Sequence, residues 1–194
     1  VSPFQHNTKD LARHTKLIRK LNLGVFVAWE YDRGCPYKCS FCDWSAGLHH
    51  KVTRKKYDWR EDLRLFKENS VYMLMITNAN FGQYEEDIDI LREVYRIRHE
   101  TNNRVFGNLY YSQSKLHVKN IRKMYQVQAE EQGFVDVEPH MQSINEQVLK
   151  NIDRPSISWE QQKTLIQEAR SLGVEAKIDL TFMVGLPGET RSEE

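Results

Sequence analysis

No uncharged apolar run in these 194 residues approaches the roughly 20 residues needed to cross a bilayer. No apolar signal segment precedes the cysteines either, so the sequence is expected to be that of a soluble, cytoplasmic protein with reduced thiols. Net charge is also nearly absent. The 28 Lys and Arg against 27 Asp and Glu leave no field favouring nucleic acid or an anionic membrane. The seven histidines include no HxH or HxxxH ligand pair, and no low-complexity stretch interrupts the chain. With 40% hydrophobic residues there is material for one sizeable core.

Cysteine is scarce too, and what there is lies together. Cys35, Cys39 and Cys42, in RGCPYKCSFCDW, are the only three. Three thiols cannot all pair as disulfides. Packed into eight residues, they suit a metal or cluster site, and a three-thiolate loop can hold three irons of a 4Fe-4S cubane while leaving the fourth open. Soft thiolates converging from one short loop are what such a cluster requires. Gly34 permits backbone angles closed to other residues, and Pro36 fixes one torsion beside the first ligand. A structural zinc ion is the competing occupant, with His49 or His50 as a fourth ligand.

Apolar runs alternate with amphipathic segments along the rest of the chain. Residues 25–31 (VFVAWEY) and 71–76 (VYMLMI) read as buried strands, and 104–111, 134–137 and 177–184 supply three more. Between them, Trp59, Leu63 and Phe66 share one helical face, as do Ile88, Leu91 and Tyr95. Residues 120–131 predict a third helix. A fourth is marked by a capping box of Ser158 and Gln161 and by a stop at Gly173, with a short helix over 145–152 before it.

Repeated βα units leave a doubly wound sheet or a barrel. The first strand lacks a Gly-rich turn opening a helix; the thiols stand there instead. The cysteines, NANFG, MQSIN and GLPGE each follow a predicted strand, and functional residues of barrels gather at the C-terminal ends of strands. The expected fold class is therefore α/β, a partial parallel (β/α) TIM-type barrel truncated after the fifth strand, since a full barrel takes about 250 residues. Residues 1–24 are expected to be a linker from a missing upstream domain, and 25–194 the core domain.

Cys35, Cys39, Phe41 and Cys42 match position by position the signature of the radical S-adenosylmethionine (SAM) superfamily, and the chain resembles that family. The segments QSINEQVLKNIDR and GLPGET fall in the family's order. The CDW loop and NANFG turn look nearest to the branch whose members carry an upstream cobalamin-binding domain. The resemblance implies a 4Fe-4S cluster on the three cysteines and SAM chelating the open iron. Reduction then cleaves SAM to a 5′-deoxyadenosyl radical, which acts on a further substrate. It also implies an electron donor such as flavodoxin or ferredoxin, and cobalamin in the full-length protein.

By the same resemblance, Phe41 lies against the adenine side and Asn78 and Asn80 at the methionine amino end. Gln142 and Ser143 reach ribose or carboxylate, and Gly185 lies at the adenine. The chain departs from the pattern in three places. Asn78 replaces an Asp, Ser45 replaces a Gly, and the Glu often offered to the SAM amino group is missing, leaving Asn80 or Asn108 as substitutes. A non-catalytic zinc-binding or iron–sulfur electron-carrying module stays open as the alternative function.

Overall fold

The computed structural model describes residues 2–43 and 51–190. The chain divides into two compact units: Val1–Arg33, Arg54–Asn78 and Asp89–Ser112 form one, and Gly34–Thr53, Ala79–Ile88 and Gln113–Glu194 the other.

The first unit is organised by a three-stranded sheet of order β1-β4-β5, formed by β1 (Val25–Trp29), β4 (Val71–Phe81), which enters the second unit after Asn78, and β5 (Asn108–Gln113), which does so after Ser112. The two-residue strands β2 (Asp32–Arg33) and β3 (Thr53–Arg54) come between β1 and β4 in the chain. β1 and β4 run parallel, with Val25 opposite Val71 and Trp29 opposite Ile76. Alternate burial along β1 follows the strand period of two. α3 (Trp59–Glu68) and α4 (Glu85–Glu100) bury the faces expected of them, and Leu63, Phe66, Leu91 and Tyr95 are all within 2% of full burial. Asp58 caps α3 by accepting a bond from the Arg60 backbone N–H. Trp29 meets Phe66 edge to face at 5.9 Å, an arrangement worth about 1 kcal/mol beyond the area it buries.

Residues 1–24, expected as a linker, contain two helices, α1 (Pro3–His6) and α2 (Thr8–Lys20). α1 opens on a capping box of Ser2 and Gln5 and packs on α3, with Phe4 edge-on to Phe66 at 4.8 Å. The signal was present in S-P-F-Q, where Pro at the first helical position follows a capping serine.

The second unit holds two short parallel pairs: β6 (Phe134–Val137) with β8 (Glu175–Ile178), and β7 (His140–Gln142) with β9 (Thr181–Phe182). The fifth strand expected over 177–184 is thus two pieces. Its partner is broken at the same level, because Pro139 has no N–H to give the ladder. α5 (Val118–Gln132) and α7 (Trp159–Arg170) cover β6, burying Ile121, Tyr125, Val135, Val137 and Leu165 in one cluster. α7 carries the Ser158–Gln161 capping box expected of it. The short helix α6 (Glu146–Asn151) begins at Asn145, whose side chain accepts from the N–H groups of Gln147 and Val148.

Two strand boundaries also differ from expectation. The third strand starts at Asn108 rather than 104, because Asn102, Asn103 and Phe106 have positive φ, which no extended strand tolerates. β4 continues five residues past Ile76, so Asn78 and Asn80 lie on a strand rather than in a turn. The turn comes at Gly82, where Asp87 Oδ2 accepts the N–H groups of Gly82 and Tyr84.

Candidate functional site

The cysteine loop follows β2 (Asp32–Arg33) in the chain and is built on Gly34, whose φ of 108° is open only to glycine at low cost. The Cys42 N–H closes a turn onto Cys39 O at 3.0 Å, and the Ser40 N–H is tied to Ile152 O at 2.9 Å. The loop is therefore anchored to the end of α6. Cys35 and Cys39 are buried and Cys42 half-buried, and all three thiols are free of disulfides.

Two cations and one amide face these sulfurs. Asn80 Nδ2 donates to Cys35 Sγ at 3.3 Å. Lys115 Nζ donates to Asn80 Oδ1 at 2.7 Å and lies 5.3 Å above the Tyr37 ring. Arg154 points Nη1 at Cys39 Sγ, 4.0 Å away, while Nη2 donates to His140 O. Burial pushes the Lys115 ammonium below its usual 10.5, against the pull of the three thiols. Burial likewise lowers Arg154, again opposed by its bond to Cys39. His140 falls below 6.5 through burial and then the charges of Arg154 and Lys115.

Local folding explains how both cations arrive. The Ser114 N–H bonds Phe81 O at 2.7 Å, which sets the residue after it, Lys115, next to the end of β4. Arg154 leaves α6 through a Schellman motif: the Asp153 N–H bonds Lys150 O at 3.1 Å and the Arg154 N–H bonds Leu149 O at 2.8 Å. Asp153 occupies the left-handed position with φ 50°, where glycine is the usual choice.

Of the residues singled out by sequence, Cys35, Cys39, Cys42, Phe41, Asn80, Gln142, Ser143 and Gly185 all fall in the second unit. Phe41 is 38% exposed. Gln142 is buried with φ 64°, and its Oε1 has no hydrogen-bond partner. Ser143 Oγ accepts the Asn145 N–H at 3.1 Å. The Gly185 and Leu186 N–H groups are both capped by Glu189 Oε2, at 2.7 and 2.9 Å. Gly185 is thus required by its φ of 82°, with its N–H already engaged. Gly188 is likewise required by its φ of 93°.

Asn78 and Asn108 belong to the first unit. Asn78 Oδ1 accepts the N–H groups of Tyr31 and Asp32 at 3.2 and 3.3 Å, which uses both lone pairs of the amide oxygen. Its placement braces the end of β1. Ser45, His49 and His50 lie outside the described residues.

Lys115 and Arg154 were missed as site residues. Arg154 lay inside the quoted QSINEQVLKNIDR segment, and Lys115 follows the third strand as the other turns follow theirs. Among the described residues no three His, Cys, Asp or Glu side chains converge on one point as around a single ion. A cubane takes one thiolate per iron, so its ligands are spread more widely. The donor set fits such a cluster. Three thiols on one anchored loop, a buried arginine, a half-buried lysine and an N–H aimed at sulfur match an anionic, thiolate-ligated group. The unpaired buried Arg154 Nε leaves polar capacity for a ligand beside it.

A three-thiol loop embedded in an α/β fold of parallel strand pairs defines a thiolate-rich, metal- or cluster-binding class of protein. The chain belongs to the Radical SAM superfamily, whose family model matches residues 29–194. It is 31% identical over 193 residues to a cobalamin-dependent radical SAM methyltransferase, TokK, of Streptomyces tokunonensis, covering 97% of this chain and 27% of that protein. It is 28% identical, with the same coverage, to a 2-(S-pantetheinyl)-carbapenam-3-carboxylate methyltransferase of Streptantibioticus cattleyicolor. The chain therefore spans about a quarter of the length of these curated relatives. Among solved structures it is similar in fold to the radical SAM methyltransferase TsrM of Kitasatospora setae. That match has a TM-score of 0.61 and 17% identity, and covers 88% of this chain and 32% of that one. It is also similar to SuiB of Streptococcus suis, with a TM-score of 0.59 and 15% identity, covering 100% of this chain and 42% of that one. These neighbours are radical SAM enzymes of TIM-type fold, and the family uses a 4Fe-4S cluster and SAM. Among the described residues no helix is long and apolar enough to cross a membrane.

Proposed function

We propose that this chain is the cluster- and SAM-binding part of a cobalamin-dependent radical SAM enzyme, methyltransferase-like in its reaction. Cys35, Cys39 and Cys42 would hold the 4Fe-4S cluster. The observation that carries this is the convergence of Asn80, Lys115 and Arg154 on the sulfurs of a loop with the family's spacing. A cluster held by these three thiols would supply the electron for reductive cleavage of SAM, the chemistry general to the family.

The chain's own residues would then arrange SAM. Phe41, partly exposed, offers its ring and backbone to the adenine side, and the turn at Gly185 approaches the same base with no side chain in the way. Gln142, with a buried and unpaired Oε1, takes a ribose hydroxyl, and Ser143 flanks it. Asn80 Oδ1 keeps one lone pair beyond the bond from Lys115, which suits the amino end of SAM. Asn78 has spent both lone pairs, so its part is to brace β1. The relatives named for cobalamin and methyl transfer support the reaction class. On that basis residues 1–24 lead from a cobalamin-binding domain, and 25–194 are the opening part of a TIM-type barrel. A cytoplasmic setting with a flavodoxin or ferredoxin as electron donor completes the proposal.

Anaerobic reconstitution tests it. The expected outcome is about four irons and four sulfides per chain and SAM cleavage upon reduction. Stoichiometric zinc without iron would sink the proposal in favour of a non-catalytic module.

A further inference from the structure

Asn80 has an amide with two ends, and each has a partner within the chain. Lys115 is a donor only, so the amide atom 2.7 Å from Nζ must be the oxygen. The nitrogen is thereby forced toward Cys35 Sγ, 3.3 Å away. Without Lys115 the amide would be free to flip and present its oxygen to the sulfur. Lys115 is itself held in place by the Tyr37 ring at 5.3 Å and a weak 3.5 Å bond to Ala79 O. Asn80 is only 6% exposed and Cys35 only 7%, so water does not screen the contact as it would at the surface. Asn80, Lys115, Tyr37 and Cys35 all lie within the second unit.

We infer that Asn80 and Lys115 form a positioning pair that aims a polarised N–H at the Cys35 sulfur and so raises the reduction potential of the cluster the loop holds. The inference rests on the cluster assignment above and goes beyond it by giving Asn80 a role that does not involve SAM. The physical reason is one of charge. Reduction adds an electron that is shared with the thiolate ligands, and an N–H bond to a ligand sulfur stabilises the reduced form more than the oxidised one. The bond from the Lys115 ammonium to Oδ1 withdraws density from the amide and strengthens its N–H as a donor. Arg154 serves Cys39 more loosely, at 4.0 Å, and through no intermediary.

The test is a potentiometric titration of the reconstituted chain without SAM, followed by the electron paramagnetic resonance of the reduced cluster. Asn80→Leu removes both ends of the amide. Asn80→Asp keeps size and the bond from Lys115 but has no N–H to give. Both are expected to lower the reduced-to-oxidised ratio at a fixed potential by at least about tenfold, a negative shift of about 59 mV for one electron. Lys115→Met should shift it in the same direction, and less so in the Asn80→Leu background than in the wild type, because the lysine acts partly through the amide.

Wild-type potentials in both Asn80 variants, with about four irons retained, would overturn the pairing while leaving the cluster assignment intact. A wild-type chain that takes up no iron would instead overturn the assignment. Should neither Asn80 variant hold iron, Lys115→Met decides the matter, and an unshifted potential there rejects the pair.

Discussion

Two buried polar clusters, one in each unit, are built from similar parts and left in opposite states. In the first unit Asp62 is fully buried and accepts from Gln5 Nε2 at 3.0 Å, from Trp29 Nε1 at 2.9 Å and from Ser2 Oγ. Its donors come from α1, β1 and the residue capping α1, so the carboxylate is a knot joining three segments. In the second unit Asn80 and Arg154 reach the sulfurs of Cys35 and Cys39 and Lys115 reaches Asn80, yet Arg154 Nε has no partner. Each unpaired buried group costs about 1–3 kcal/mol. The first cluster ties segments of the fold together, whereas the second keeps hydrogen-bonding capacity beside the thiols.

The sharpest way to break this contrast is Cys39→Ala. Complete loss of the iron–sulfur cluster and of SAM cleavage is expected, with the far-ultraviolet circular dichroism unchanged. Retained cleavage would show that the thiols are not the ligands. Asp62→Ala should do the reverse. Three donors, two of them buried, lose their acceptor, and stability in urea should fall by about 3 kcal/mol while iron content per folded chain stays the same. An iron content that falls with it would show that the two clusters are not independent.

A smaller effect concerns pH. Burial lifts the Asp62 carboxyl above its ordinary 3.8, with the bonds from Ser2, Trp29 and Gln5 opposing. The folded chain therefore binds more protons than the unfolded chain between 3.8 and the raised value. The contribution of this group is complete below 3.8 and declines as pH rises through that window. Urea midpoints of wild type minus Asp62→Asn should fall as pH is raised from about 4 and then level off. A rise over that range would mean the three donors outweigh burial. The smallest effect serves as the control at a side chain that bonds to neither cluster. Ser158→Ala removes the capping-box hydroxyl of α7 and should cost about 1 kcal/mol with no change in iron content.

Local pattern carried much of the fold. The faces of α3 and α4, the span of β6 and the α7 capping box all follow from spacing and capping chemistry, which act over a few residues. What escaped was set by partners distant in sequence. β4 runs through Asn78 and Asn80 because the first is engaged by the Tyr31 and Asp32 backbone and the second by Cys35 and Lys115, so two asparagines that would favour a turn alone are held in a strand. The fifth strand splits where its neighbour has a proline. α1 and α2 went unread, though α1 had its cap and proline, because their polar composition resembles that of a connection.

The candidate site divides in the same way. Cys35, Cys39, Phe41 and Cys42 were legible because a cluster demands a fixed spacing within one short loop, and spacing is a property of sequence. Lys115 and Arg154 were not, since each is brought to the sulfurs from another part of the second unit, one by the Ser114–Phe81 bond and the other by the Schellman turn after α6. Sequence by itself determined that three thiols stand together at the family's spacing and which family the chain belongs to. Only the tertiary structure decided which charges and donors face those thiolates, because a side chain's reach to a sulfur dozens of residues away depends on how the backbone between them has folded.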